Sequence, residues 1–261
     1  MDKSLRNLLI NSTLAFIAAF FITTIVHESG HFIAYYIYGA DPVLYHNHVS
    51  IPDQNLSIHV SAIAAMAGPI ASLLQGIFFS IVVTNKGEDD KVFNLCFLWL
   101  SLLGFVNFFG YLMLTPLSTA GDTGKFAELL NLDYLYRILI AIMAIIVLIL
   151  IILKLGKNFG NFIPVEKDMI IKKKYVYRVM FYPILIGSVV NSIFAFPIPV
   201  FLSIFYPATS SFVIMSSFGV ILRSPGTQKS TVEATKKIDK SIILLTISLI
   251  IINRLLTMGL G

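Results

Sequence analysis

The sequence has a single cysteine and few charged side chains. Only 13% of its 261 residues are charged, whereas a typical soluble domain has about 25% charged residues. Its hydrophobic fraction is 57%, which excludes an ordinary soluble fold. With Cys96 alone, the chain can form neither an intrachain disulfide nor a zinc site made of several thiolates. Any metal site must therefore use histidine and carboxylate ligands.

Acidic residues are also scarce, with 14 Asp and Glu against 19 Lys and Arg. In a chain this apolar, basic residues indicate membrane orientation before they indicate an acidic partner. We therefore expect no nucleic-acid partner, and the sequence contains no glycine-rich phosphate loop or serine nucleophile elbow. The Lys-, Ile- and Asn-rich composition is typical of a low-GC microbe. We accordingly expect a multi-pass integral protein of a microbial cell membrane.

Apolar runs long enough to cross about 30 Å of hydrocarbon recur along the chain. The second run is expected to break at Gly68-Pro69, and the last is short. The sequence therefore predicts an all-α polytopic membrane protein of six or seven transmembrane helices, with six as the count if residues 197–207 are re-entrant. The predicted spans cover residues 8–38, 61–83, 92–114 and 134–153, two spans between 179 and 222, and residues 241–256.

The segment between the first two spans is expected to differ from the rest. The first span stops at Gly39, a residue type typical of helix C-termini. Residues 43–51 alternate loosely between apolar and polar side chains, which predicts a short β-hairpin. We divide the chain into a first region of four predicted spans over residues 1–153 and a C-terminal helical region over residues 154–261.

Basic residues are concentrated at the N-terminus and in two later segments, 154–178 and 223–240. An even number of predicted spans separates these segments, so all three are expected on one side, the cytoplasmic one. Residues 41–59 have three histidines and no Lys or Arg. They are then expected on the opposite side.

Aromatic residues are typical of the boundary between a membrane and water. We therefore expect the following side chains to form interface belts: Trp99, Tyr35, Tyr36 and Tyr38. We expect His46 and His48 at the protein surface rather than on a metal ion.

One cluster of ionisable residues stands inside a long apolar run. It matches the pattern H-E-x-x-H, as His27-Glu28-Ser29-Gly30-His31. Histidines four residues apart lie on one face of a helix and can hold one zinc ion. The alternative is a chance match, but each ionisable residue within a transmembrane helix costs about 2.5–3.5 kcal/mol. Three of them therefore indicate a metal or a water-filled cavity, with Glu28 as general base toward a zinc-activated water.

A third ligand must come from elsewhere in the chain. Depth in the membrane favours Asp122, because the end of the third span returns the chain to the level of the histidines. The Gly121–Gly124 turn allows irregular backbone, which at membrane depth is tolerated where it is buried in protein or lines a cavity. The alternative for Asp122 is a helix cap. The acidic and histidine candidates together are Asp41, His46, His48, His59, Asp122, Glu128 and Asp133.

These motifs resemble those of the site-2 protease family of intramembrane zinc metalloproteases, over about residues 20–130. The motifs stand in the family's order: H-E-x-x-H, then Ala67-Gly68-Pro69, then Pro116 followed by Asp122-Thr123-Gly124. The resemblance implies an enzyme that hydrolyses peptide bonds in or near transmembrane segments of membrane proteins or peptides. It implies that His27, His31 and Asp122 are zinc ligands and that Glu28 is the catalytic base. Residues 1–153 would then form a zinc-protease core.

The chain departs from the family pattern at two positions where asparagine is frequent. Ser72 stands after the Gly-Pro element, where family members often have asparagine. Asn107 lies too far before Pro116 to correspond to the asparagine that often precedes the proline in the family. No residue is therefore assigned to stabilise the oxyanion of the transition state. The family's site often lies nearer the cytoplasmic face, whereas the charge pattern places it toward the other face. Two hypotheses stay open beside the first: a prenyl-protein-type membrane zinc endopeptidase with Glu128 as third ligand, and an inactive relative that binds membrane clients or metal.

Overall fold

The computed structural model describes residues 2–52, 56–86, 91–166, 168–198, 206–227 and 232–261. These residues are mostly helical, with one two-stranded sheet among them. Within the described residues, six helices are long and apolar enough to cross a membrane. Part of the segment predicted as re-entrant lies outside the described residues, as do single residues or short stretches of the segments 41–59, 154–178 and 223–240.

Helix α1 (Lys3–Ile37) carries the H-E-x-x-H motif. The Asp2 carboxylate accepts a hydrogen bond from the backbone N–H of Ser4 at 3.1 Å and caps the helix. The chain leaves the helix through Gly39, whose φ of +77° is a conformation that glycine adopts without strain. The predicted glycine stop is confirmed. At about 1.5 Å per residue, the 35 residues of this helix exceed the thickness of a bilayer core.

The predicted hairpin is present in a minimal form. Strand β1 (Val43–Leu44) pairs antiparallel with strand β2 (Val49–Ser50). On the other edge of β1, Leu260 exchanges two backbone hydrogen bonds with Leu44, at 2.8 and 2.9 Å. Leu260 is thus hydrogen-bonded to the edge of the hairpin.

Helices α2 (Ile58–Lys86) and α3 (Val92–Leu114) follow the hairpin. The bounds of α3 are those predicted from the apolar run. The predicted break in α2 is wrong, because the helix continues through Gly68 and Pro69. A proline inside a helix removes one backbone hydrogen bond, and spanning helices tolerate that loss where neighbouring groups satisfy the freed carbonyl.

A short helix, α4 (Asp122–Leu129), separates α3 from the next span, α5 (Tyr134–Gly156). The Asp133 carboxylate accepts a hydrogen bond from the Leu135 N–H at 2.8 Å and caps α5. A 3₁₀ turn over Lys157–Phe162 extends α5. Residues 115–133, between the third and fourth predicted spans, therefore contain a helix of their own.

The C-terminal region contains two long helical segments. Only one of the two spans predicted between residues 179 and 222 is a long helix, and the described residues support six spans rather than seven. The first long segment is α6 (Met169–Val176), a π turn (Tyr177–Phe181) and α7 (Tyr182–Phe194). Short pieces follow: α8 (Tyr206–Phe212), a 3₁₀ turn (Val213–Ser217), α9 (Phe218–Arg223) and α10 (Glu233–Lys236). The last long segment is α11 (Lys240–Leu255) with a 3₁₀ turn (Leu256–Met258).

The three basic segments lie at one end of the molecule, as the charge pattern predicts. The hairpin lies at the other end, where the His46 imidazole donates to the Ala195 carbonyl at 2.9 Å. That the basic end is cytoplasmic stays a prediction. Contacts that join the basic segments include Ser4 Oγ to Tyr175 Oη at 3.1 Å, Asn7 Nδ2 to Thr235 O at 3.0 Å, and Lys172 Nζ to Ser224 O.

The core lies between α1, α3 and helices of the C-terminal region. Trp99 is fully buried there, with its ring edge-on to Phe16 at 5.0 Å and its indole N–H donating to Ser12 Oγ at 3.2 Å. The expectation that Trp99 and Tyr35 belong to an aromatic belt facing the membrane interface is wrong, because both side chains are buried inside the protein. Packing, rather than the amphipathic character of the ring, decides their position. The exposed members of that set are Tyr36 and Tyr38.

Candidate metal centre

Two imidazoles from α1 point at the same spot. His27 and His31 are four residues apart, so one helical turn brings them to the same face. Their Nε2 atoms lie 3.1 Å apart, and the rings meet edge-on at an interplanar angle of 81°. Both side chains are buried. The predicted histidine pair therefore exists as a converging pair of nitrogens.

Helix α4 brings the third ligand to this spot. The Asp122 Oδ2 atom lies 3.0 Å from His27 Nε2 and 3.4 Å from His31 Nε2. Asp122 is the first residue of α4, and Gly121 is the cap residue. The alternative that the carboxylate caps a helix is therefore not what the structure shows. Among the described residues, these three side chains are the group able to hold a metal ion.

The spacing of the three ligand atoms fits a tetrahedral metal ion. Ligand atoms held about 2.0–2.1 Å from zinc in a tetrahedron lie about 3.3–3.4 Å from one another. The three separations here are 3.0, 3.1 and 3.4 Å. The Asp122 side chain is 25% exposed, against 4% and 10% for the two histidines. The carboxylate is thus the ligand side chain most open to solvent.

The outer nitrogens of the imidazoles fix which atoms face the centre. His31 Nδ1 donates to the Ala64 carbonyl at 2.7 Å, and a carbonyl oxygen can only accept. His27 Nδ1 lies 3.3 Å from Ser72 Oγ. The neutral His31 ring therefore has the lone pair of its Nε2 atom facing the centre, and the His27 ring has the same arrangement when its Nδ1 donates to the Ser72 hydroxyl. A proton could satisfy one pair of these atoms, whereas a metal ion satisfies all three.

The charge of the triad supports an ionised carboxylate. Without a metal ion, imidazoles that carry a proton on Nε2 donate to Asp122, and these hydrogen bonds and charges hold the pKa of the carboxyl well below its ordinary value although burial raises it. Asp122 therefore offers an anionic oxygen. Such an oxygen and two imidazole nitrogens form a ligand set that zinc accepts.

Two glycines let α1 and α2 approach each other at this site. A Cβ added to Gly68 would lie 2.3 Å from His31 Nε2, and one added to Gly30 would lie 2.5 Å from the Ala67 carbonyl oxygen. Neither position has room for a side chain. At Gly30 the missing side chain lets the backbone of α2 approach closely, and at Gly68 it leaves room for the His31 imidazole.

Glu28 lies beside the triad without joining it. The side chain is buried and within electrostatic range of His27, His31 and Asp122. The position is the one that the sequence assigns to a general base, a role that stays a prediction.

The other candidate ligands lie elsewhere. His46 is buried rather than at the surface, held by the Ala195 carbonyl, and burial lowers its pKa. His48 stacks on Tyr45 with ring centroids 4.6 Å apart. The remaining candidates are exposed, and Asp133 caps α5: Asp41, His59, Glu128 and Asp133. The structure brings Asp122, not Glu128, to the histidines.

Two residues of the site are not apparent from the sequence as parts of it. Ser72 lies against His27 Nδ1, and Tyr111 stacks on the His27 ring with centroids 5.0 Å apart. Ser72 appears in the sequence only as a departure from a family pattern, and nothing around Tyr111 marks it. The one available signal is that Tyr111 follows the polar residue Asn107 by four positions, which places both on the same face of α3.

No protein-family model, curated protein or solved structure matches this chain.

Proposed function

We propose that the protein is an intramembrane zinc metalloprotease that hydrolyses peptide bonds in or near transmembrane segments. The observation that carries this proposal is the triangle of two imidazole nitrogens and one carboxylate oxygen, with edges of 3.0–3.4 Å. The resemblance of the motifs to site-2 proteases supports the same function.

Each residue of the site has a chemical task in this proposal. His27, His31 and Asp122 would hold the zinc ion, which supplies Lewis-acid chemistry by acidifying water and polarising a peptide carbonyl. Glu28 takes a proton from the water that adds to the carbonyl carbon. It then returns that proton to the amine nitrogen as the C–N bond breaks.

The location of the site argues for substrates of the membrane. The histidines lie on a helix of 35 residues, and this helix is one of six in the described residues that are apolar and long enough to span a bilayer. A zinc site on such a helix is reached most directly by a membrane protein or peptide. The lipid bilayer is then the second partner of the chain.

The first test separates the base from the ligands. We expect Glu28→Gln to abolish cleavage of a panel of transmembrane peptides in detergent and in liposomes, while one zinc per chain is retained. Asp122→Ala should lose the zinc as well as the activity. Mass spectrometry of the peptides and metal analysis of the protein provide the two readouts. Full activity of Glu28→Gln would remove the general base from the proposal.

Two other functions make different predictions for the same variants. A prenyl-protein-type endopeptidase with Glu128 as ligand predicts that Asp122→Ala keeps its zinc, although Glu128 is exposed here. An inactive relative predicts bound zinc without turnover of any peptide. Ser72, in place of a frequent family asparagine, is the observation that favours the inactive relative.

A further inference from the structure

Tyr111 contacts both parts of the chain that bring the ligands together. Its ring is nearly parallel to the His27 imidazole, with an interplanar angle of 10° and centroids 5.0 Å apart. The same ring lies beside Gly121, because a Cβ added to that glycine would be in van der Waals contact with a ring carbon of Tyr111, at 3.6 Å. Gly121 directly precedes Asp122. The ring therefore stands between a ligand of α1 and the start of α4.

The backbone of Tyr111 has a separate contact with α4. The Thr123 hydroxyl donates to the Tyr111 carbonyl at 2.6 Å, and the Thr115 hydroxyl donates to Thr123 Oγ1 at 2.8 Å. These bonds fix the first turn of α4 to the end of α3. Because they use only the backbone of residue 111, a substitution of its side chain leaves them available.

The two histidines differ in how firmly their outer nitrogens are held. The hydrogen bond of His31 Nδ1 to Ala64 is 2.7 Å long, whereas the contact of His27 Nδ1 with Ser72 Oγ is 3.3 Å. The second distance is beyond the usual range for a strong hydrogen bond. The imidazole of His27 thus depends more on its flat contact with an aromatic ring.

We propose that Tyr111 is a positioning residue, whose ring fixes the His27 imidazole and the Gly121 backbone at the separation that places His27 Nε2 against Asp122. This inference rests on the proposed function only in requiring that the triad binds a metal ion. The other interpretation of Tyr111 is ordinary packing, which would affect stability alone.

The test compares metal affinity with stability in three variants of the full chain. Tyr111→Leu removes the flat ring, and Tyr111→Phe keeps it without the hydroxyl. Phe97→Leu is the matched control, because it removes a ring of α3 that stacks on Phe79 at 5.3 Å. Affinity for Co²⁺ and Zn²⁺ is measured by chelator competition, the Co²⁺ absorption bands report ligand geometry, and thermal unfolding without metal reports stability.

We expect Tyr111→Leu to weaken metal binding about 10- to 100-fold, the usual loss for an outer contact of a ligand, and to change the Co²⁺ bands. Tyr111→Phe should restore both readouts to the wild-type values, and Phe97→Leu should lower only the unfolding temperature. If Tyr111→Leu does not fold, Tyr111→Met replaces it.

Two outcomes would overturn the positioning role while leaving the proposed function intact. One is wild-type affinity and an unchanged Co²⁺ spectrum in Tyr111→Leu. The other is a Phe variant as weak as the Leu variant, which would assign the effect to the hydroxyl. Failure of the wild-type protein to bind either metal would instead overturn the proposed function, and the role of Tyr111 with it.

Discussion

Gly68 leaves the space in which the His31 imidazole lies. A methyl group at this position would come within 2.3 Å of His31 Nε2, the atom that faces the candidate metal. Because a side chain is easier to displace than two packed helices, we expect Gly68→Ala to move the imidazole out of the triad. Metal affinity should fall about 10- to 100-fold, as measured by chelator competition.

Gly110→Ala is the matched control for that substitution. Gly110 is also helical and one residue from Tyr111, but a Cβ there would meet nothing within 4 Å. Alanine is favoured over glycine in a helix by about 1 kcal/mol, so this variant should fold well and bind metal normally. Equal affinity of the Gly68 and Gly110 variants would show that His31 does not need this space.

At the scale of single residues, chemistry specific to a side chain is predictable and packing is not. The pattern of His27, Glu28 and His31 is visible because a helical turn fixes which side chains share a face. Asp122 is predicted by its depth. Ser72 and Tyr111 are not predictable as outer contacts, because their positions depend on how α2 and α3 cross α1.

Asn11 ties the start of α1 to the chain before α11. Its amide donates to the carbonyls of Ala234 and Lys237, both at 2.8 Å, and its carbonyl accepts from the Asp239 N–H at 2.9 Å. Asn11 is fully buried. Asn11→Ala would leave these buried groups unpaired, and we expect it to lower the free energy of unfolding by about 1–3 kcal/mol.

Equilibrium unfolding in detergent measures this loss, and hydrogen exchange should localise it to residues 234–239. Asn85→Ala, at an exposed position near the end of α2, is the control and should unfold like the wild-type protein. Metal affinity should be unchanged in both variants, because Asn11 lies about 24 Å from His27 along the helix. If Asn11→Ala has the wild-type free energy of unfolding, the hydrogen bonds of Asn11 do not stabilise the protein.

At the scale of elements, sharply bounded apolar runs are predictable. The bounds of α3 follow from polar residues on each side of one run. The segment from Tyr206 to Arg223 is not predictable in this way, since its apolar composition is the same whether the helix continues or is broken by a 3₁₀ turn. Pro69 leads to the opposite error: it predicts a break, but a helix packed against neighbouring helices can continue through proline.

At the scale of the whole molecule, the basic end and the metal centre are far apart, which makes sidedness testable. Cys96 is buried, so its thiol gives little background to added cysteines. We expect Lys237→Cys to react with an impermeant maleimide from the cytoplasmic side only, and Asp41→Cys from the opposite side only. Both positions are exposed. Sealed vesicles of the two orientations provide the comparison.

The two ways in which labelling could differ have different meanings. A full reversal would show that the basic segments face away from the cytoplasm, and it would place the centre nearer the cytoplasmic face, where the resembled family often has it. Labelling of both positions from the same side would contradict the spanning arrangement of the helices between them.

The most direct measurement for the central claim is X-ray absorption at the zinc edge of the purified chain, after loading with one equivalent of zinc and washing. We predict a spectrum of two imidazole nitrogens and oxygen ligands at about 2.0–2.2 Å, lost in Asp122→Ala. A wild-type protein that retains no zinc, or a spectrum unchanged by Asp122→Ala, would contradict a metal centre built from His27, His31 and Asp122.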